Sequence, residues 1–221
     1  MADSKTRRIE TGDGSYSLEH TELNETYHSR HGALQESLYV FIQHGLELFK
    51  EQKQVAVFEM GFGTGLNALL TAEKAKELGM DIYYESIETY PVSTEKVMGL
   101  NYASDEMIPF FQSMHDCPWE VAQTLDEHFT IRKREISIFD LEPEEERFDL
   151  VYYDAFGFRA QPDAWESEHF VKMYKLLKKG GVLITYCAKG QVRRDLAAAG
   201  FEMERLPGPP GKRHMLRGRK R

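Results

Sequence analysis

The sequence predicts an α/β fold built on a doubly wound, mostly parallel sheet with an antiparallel strand at its C-terminal end. Three observations carry that prediction. From residue 55 onward, short apolar runs alternate with glycine turns and stretches of helical periodicity, the pattern of repeated strand–helix crossovers. The run Val55-Ala56-Val57-Phe58-Glu59 flows directly into Gly61-Phe62-Gly63-Thr64-Gly65 and then a helix, which puts a ligand turn at the carboxyl end of the first parallel strand. The last two strands, Phe201 to Leu206 and His214 to Leu216, are joined through Pro207-Gly208-Pro209-Pro210-Gly211. That link is too short for a helical crossover, so the pair is antiparallel.

In chain order, residues 1–33 are polar and turn-rich and predict a short hairpin or irregular arm. Residues 34–221 are expected to form the rest of a single domain. Leu34, Leu38, Phe41, Ile42, Leu46 and Phe49 follow helical spacing. Leu66 to Leu78 is a second helix, stopped by Gly79. Ile82 to Glu88 reads as the second strand, and a mostly helical region with loops runs from Ser93 to His128. Glu135 to Phe139, Leu150 to Tyr153 and Val182 to Cys187 read as three further strands. Helices are expected at Pro162 to Leu177 and Gln191 to Ala199.

The chain has 221 residues, 41% of them hydrophobic, which supplies a core and argues against disorder. No stretch approaches the roughly 18 apolar residues of a bilayer span. No apolar segment follows the charged start Met1 to Arg8, so export is not expected and a soluble cytoplasmic protein is. Cys117 and Cys187 lie 70 positions apart, against a disulfide scaffold or zinc ribbon. The net charge of −8 argues against a general nucleic-acid coat. Yet residues 206–221 carry Lys212, Arg213, Arg217, Arg219, Lys220 and Arg221 without an acid. That run is either a solvated tail or a phosphate-contacting patch.

Chemistry is expected at the carboxyl ends of the strands. Gly61, Gly63 and Gly65 let a ligand approach the backbone at a helix N-terminus. The third glycine comes one position early for a dinucleotide fingerprint, with Leu66 in its place, and the Walker Gly-Lys-Ser/Thr is absent. Glu59, two residues before the turn, suits a cationic ligand better than a pyrophosphate. S-adenosyl-L-methionine, with its ammonium and sulfonium, fits. Glu88 is placed to accept the ribose hydroxyls and Asp140 the adenine amino group.

The segments Glu59-Met60-Gly61-Phe62-Gly63-Thr64-Gly65-Leu66-Asn67, Asp154-Ala155-Phe156 with Pro162-Asp163-Ala164-Trp165, Val192-Arg193-Arg194-Asp195-Leu196 with Ala199-Gly200-Phe201, and Gly211-Lys212-Arg213-His214-Met215 resemble one methyltransferase family. It is the family of the MnmD proteins and the methyltransferase half of MnmC. The resemblance runs in order over roughly residues 20 to 217. It implies a Rossmann-like class I S-adenosyl-L-methionine-dependent methyltransferase fold, with Asn67 joining the cofactor set. The implied reaction is N-methylation of the 5-aminomethyl group of (2-thio)uridine at the tRNA wobble position, giving 5-methylaminomethyl-(2-thio)uridine. It also implies a tRNA partner, no metal, and no FAD, because the chain leaves no room for the oxidase half of the two-domain relatives. The chain departs from the family at Gly157-Phe158-Arg159, where a small residue and a proline are usual, and at His214, where the family has glutamate.

Methylating an amine requires its neutral form, and a primary alkylamine is protonated near neutrality, as lysine at about 10.4 illustrates. Asp154 is the expected acceptor that holds the ammonium and aims its lone pair. As an ordinary carboxylate near 3.9 it would orient rather than fully deprotonate. Phe156 is the expected stacking partner of a flipped base. Tyr27, His28, Ser29, Arg30 and His31 form an aromatic–basic cluster, with Tyr27 and His28 facing substrate; the two histidines lack a third metal ligand. Arg193, Arg194, Lys212 and Arg213 are phosphate contacts or solvated charges, and Trp119 and Trp165 are core. Alternatives are a methyltransferase for a small-molecule amine, an aminopropyl transferase like spermidine synthase, and a non-catalytic adenosyl-binding module.

Overall fold

The computed structural model describes residues 5–221; the first four residues of the expected arm lie outside the described residues. The arm is a small antiparallel sheet of β1 (Thr6–Glu10), β2 (Tyr16–His20) and β3 (Glu25–Thr26). Its first turn is held by Asp13 Oδ1, which accepts the Ser15 backbone N–H at 3.0 Å. Glu19, buried on β2, is clasped by Arg7 and Arg30.

The helix expected over 34–49 is broken. α1 (Ala33–Ser37) passes into a π-helical turn at Leu38–Gln43 and a 3₁₀ turn at Leu46–Phe49. Val40, Phe41 and Ile42 are all buried in succession, which a 3.6-residue repeat does not present to one core face; a wider turn does.

The glycine-turn unit follows as read. β4 (Gln54–Met60) leads through the turn to α2 (Leu66–Leu78). Gly79 then stops the helix in the left-handed region at φ 63°, with the Met80 N–H reaching back to Ala75 O at 2.9 Å. β5 (Asp81–Ile87) is followed by α3 (Thr94–Met98) and α4 (Ile108–Asp116).

Here the structure corrects the sequence reading twice. A strand, β6 (Gln123–Asp126), ends the region expected to be helical and loop. The next parallel strand is β7 (Phe129–Arg134), not residues 135–139. Its charges disguise it, and each is satisfied inside the fold. Lys133 is buried, donates to His115 O at 2.6 Å and lies 5.0 Å over the Trp119 ring. Arg132 and Arg134 reach the buried Glu85 of β5 at 3.6 and 3.3 Å.

β8 (Phe148–Tyr153), a 3₁₀ turn at Pro162–Trp165, α5 (Ser167–Leu176), β9 (Leu177–Thr185) and α6 (Gly190–Ala198) complete the crossovers. β10 (Glu202–Pro207) and β11 (His214–Arg219) are antiparallel, Glu202 opposite Arg219 and Pro207 opposite His214. The sheet order is β10-β11-β9-β8-β4-β5-β7-β6. β4 thus stands between β5 and β8, the point where the winding reverses and a crevice opens.

Side-chain alternation sends Val57, Tyr84 and Tyr152 to one core and Phe58, Tyr153 and Leu183 to the other. Three residues of the basic C-terminal run are tied to the sheet and do not hang in a solvated tail. Arg217 pairs with Glu204 at 2.7 Å, Arg219 donates to Gly180 O at 2.9 Å, and the buried Lys220 donates to Leu177 O at 2.7 Å. Among the described residues no helix is long and apolar enough to cross a membrane.

Candidate active site

A cavity of about 470 Å³ opens at the carboxyl ends of β4, β5 and β8, within the usual size of small-molecule sites. The backbone at its floor is the glycine turn, with φ of +95° at Gly61, +53° at Gly63 and +74° at Gly65. The Gly61 and Phe62 N–H groups donate to Ile87 O at 3.1 and 3.2 Å, tying the turn to β5. A Cβ on Gly61 would sit 2.8 Å from the Asp154 carbonyl oxygen. The crossing of those two backbones therefore requires glycine.

Glu88, just past β5, lines the cavity and accepts the Gly63 N–H at 3.0 Å and the Tyr90 N–H at 2.9 Å. It pins the turn while each carboxylate oxygen keeps a second lone pair for a ligand hydroxyl.

Asn67, on the first turn of α2, donates its amide to two carboxylates at once: Glu59 at 3.0 Å and Asp154 at 2.8 Å. Asn67 Oδ1 is buried without a hydrogen-bond partner among the described residues. Burial pushes the Glu59 carboxyl up to about 8, with the charge of Asp154 adding to it and the Ser86 hydroxyl, at 2.8 Å, opposing. Burial likewise pushes Asp154 up to about 7; the Asn67 bond opposes this, Glu36 adds to it and Lys212 relieves it. Two carboxyls joined by one amide form a site short of positive charge.

Both carboxyls bind their proton more tightly in the native than in the unfolded chain. Their effect on stability is absent below about pH 4, grows unfavourable as pH rises, and is complete above about pH 8. Asp154→Asn is therefore expected to raise the thermal midpoint by roughly 3–6 °C more at pH 8.5 than at pH 5. Melting curves at the two pH values check this, and an equal shift at both would contradict it.

Tyr27 packs over the turn, its ring 3.3 Å from where a Cβ on Gly63 would sit, and Phe156 meets Tyr27 edge-on at 4.9 Å between ring centres. Its carbonyl accepts the Trp165 indole N–H at 2.8 Å. His28 also lines the cavity. Its Nδ1 contacts Ser17 Oγ at 3.0 Å and the Tyr102 hydroxyl at 3.2 Å, and its Nε2 lies 3.4 Å from Thr64 Oγ1. Burial lowers it to about 4, so it is a neutral hub joining β2 to the glycine turn.

The structure thus brings Gly61, Gly63, Asn67, Glu88, Asp154, Phe156, Tyr27 and His28 to one cavity. The other expected site residues lie elsewhere. Glu59 is fully buried beneath the floor and reaches it only through Asn67. Gly65 is packed against His115, where a Cβ would come 2.7 Å from Nε2. Asp140 is exposed in a turn off the cavity, because the strand expected to deliver it ends at Arg134. Ile136 and Ile138 line that wall instead; their alternation was visible in the sequence and misread as a strand. Arg193 on α6 and Arg213 in the β10–β11 loop are exposed. Lys212 lies outside the cavity lining; it pairs with Glu36 and sits 3.8 Å over the Tyr186 ring, whose hydroxyl donates to Ala155 O at 2.7 Å. Neither Glu36 nor Tyr186 was singled out, since both read as helix and strand residues.

Residues 115–221 match a family described as S-adenosyl-L-methionine-dependent methyltransferase. The chain is 30% identical, over 90% of its length and 33% of the relative's, to the tRNA 5-methylaminomethyl-2-thiouridine biosynthesis bifunctional protein MnmC of Aromatoleum aromaticum. With the protein of the same name from Polaromonas naphthalenivorans the identity is 30%, over 95% of this chain and 35% of the relative. The chain therefore spans about a third of the length of these curated relatives. Among solved structures, MNMC2 from Aquifex aeolicus superposes with a TM-score of 0.80 at 23% identity, covering 96% of this chain and 70% of that one. Spermidine synthase from Thermotoga maritima shares the fold with a TM-score of 0.56 at 11% identity, over 99% of this chain and 74% of that one.

Proposed function

The chain is a member of the MnmD/MnmC methyltransferase-domain family, and from that premise we propose that it methylates a tRNA nucleoside. The reaction is transfer of a methyl group from S-adenosyl-L-methionine to the amine of 5-aminomethyl-(2-thio)uridine at the wobble position, giving 5-methylaminomethyl-(2-thio)uridine, in the cytoplasm and without FAD. The observation that carries this reading is the pairing of two half-sites in one cavity. The glycine turn with Glu88 and Asp154 with the Phe156–Tyr27 pair line the same cavity, Tyr27 so close to the turn that a Cβ on Gly63 would sit 3.3 Å from its ring.

The residues fit the donor. The orphaned Asn67 Oδ1, an acceptor beside the glycine turn, suits a ligand that carries an ammonium. Gly61 and Gly63 would hold it through the backbone, Glu88 would accept the ribose hydroxyls, and Ile136 and Ile138 would flank the adenine in place of Asp140. When bound, the donor supplies an electrophilic methyl group on a sulfonium.

The chain's own work is positioning and proton handling. Phe156 and Tyr27 offer perpendicular aromatic faces to an extruded base. Asp154 receives the amine's proton. An ordinary aspartate lies about six units below an alkylammonium, and the value of about 7 roughly halves that gap. Asp154 is thus a better base than its residue type suggests, and we assign it proton acceptance as well as orientation. The arm belongs to the same working unit, since it contributes Tyr27 and His28. Exposed Arg193 and Arg213 are proposed to contact tRNA phosphates, whereas Lys212 acts behind the wall on the Asp154 charge.

The test incubates the full chain with methyl-labelled donor and a tRNA carrying 5-aminomethyluridine at the wobble position, followed by nucleoside mass spectrometry. One added methyl on that nucleoside is expected, with tRNA affinity falling as salt rises. Turnover of a free alkylamine but not of tRNA, or turnover only with the decarboxylated donor, would sink the assignment.

A further inference from the structure

His169, the third residue of α5, has a ring environment that the site above does not explain. The side chain is fully buried. Its Nε2 lies 3.1 Å from the carbonyl oxygen of Asp163, which can only accept, so Nε2 carries the hydrogen. That fixes the tautomer and leaves Nδ1 with a bare lone pair, as metal-ligating histidines are commonly held. Nδ1 is buried and has no hydrogen-bond partner among the described residues.

Two carboxylates lie beside the ring. Glu168 Oε1 is 4.0 Å away, and one ligand atom from each of Glu166, Glu168 and His169 lies within 4.8 Å of the others. Acidic residues at a helix N-terminus are favoured by the helix dipole. That accounts for the two glutamates and not for a buried lone pair beside them. An acceptor beside acceptors is unfavourable unless a cation stands between.

We propose that Glu166, Glu168 and His169 Nδ1 bind a divalent transition-metal cation of the zinc type. One imidazole with two carboxylates suits zinc better than magnesium or calcium, which prefer all-oxygen shells. Tetrahedral zinc with bonds of about 2.0–2.1 Å sets its ligands about 3.3 Å apart. The two exposed glutamates need move only about an ångström to reach that spacing, while His169 is already locked in place.

The bound cation would be a brace and not part of the methyl transfer. It would fasten the Pro162–Trp165 turn to α5, and Trp165 holds the carbonyl of Phe156 on the cavity wall.

The test uses the full chain without a histidine tag, stripped with a chelator and titrated calorimetrically with zinc chloride. One saturable site is expected, weakened at least about tenfold by the double substitution Glu166→Gln and Glu168→Gln. Both side chains are exposed, and an unchanged circular dichroism spectrum verifies the fold of that variant. No saturable zinc binding below about 1 mM, or equal affinity in the double variant, overturns the proposal. Neither outcome bears on the methyltransferase reading, which uses none of these three residues.

Discussion

Asp154→Ala is expected to slow methyl transfer by roughly 10²–10⁴-fold, the range for removing a positioned general base, while donor affinity changes by less than about threefold. The carboxylate is held 2.8 Å from the Asn67 amide and lines the same cavity as the glycine turn. On the proposed reading its loss removes the group that receives the amine's proton and leaves the turn and Glu88 in place. Single-turnover transfer to the modified tRNA reads the first quantity and calorimetry with the donor reads the second. Retained turnover would show that the proton leaves by another route. A parallel loss of donor affinity would make Asp154 a donor-binding residue.

Gly61→Ala is expected to cost about 2–4 kcal/mol of stability and to abolish detectable donor binding. Two effects add. A φ of +95° lies where L side chains carry strain of about 1–3 kcal/mol. The new Cβ would also press 2.8 Å against the Asp154 carbonyl oxygen, a backbone atom that cannot swing aside. Relieving that contact pushes the turn and the Asp154 loop apart, separating the two halves of the site. Denaturant melts and donor titration check it. A variant of wild-type stability that still binds donor would mean that this crossing is not tight in solution.

The parts of the fold that were legible in the sequence are those where local pattern and tertiary role agree. From Val55 to Leu78 an apolar strand, a glycine turn and a glycine-stopped helix each have their own signal, and the observed β4 and α2 follow it. The short loop after Leu206 fixed the antiparallel ending in the same way. Legibility failed where charge is satisfied at a distance. Thr130-Ile131-Arg132-Lys133-Arg134 reads as surface because Glu85, His115 O and the Trp119 ring, which receive its charges, are distant in sequence. With that strand misplaced, Asp140 was assigned a position it does not occupy. The residues expected at the site that line the cavity were picked out by their types and spacing. How the environment alters them was not readable: the proton affinity of Asp154 depends on burial and on Glu36 and Lys212, contributed from far-separated parts of the chain.

The cavity has two authors. Part of its lining comes from the β4–α2 turn and β5, which belong to the large sheet, and part from the N-terminal arm and the segment after β8. On the proposed reading, variation in the segment after β8 can therefore reshape what is accepted with less effect on what is donated. On that reading, changes at Phe156 retune the choice of acceptor, while Gly61 and Glu88 keep the methyl source. A lineage built on this plan can change its customers and keep its supplier.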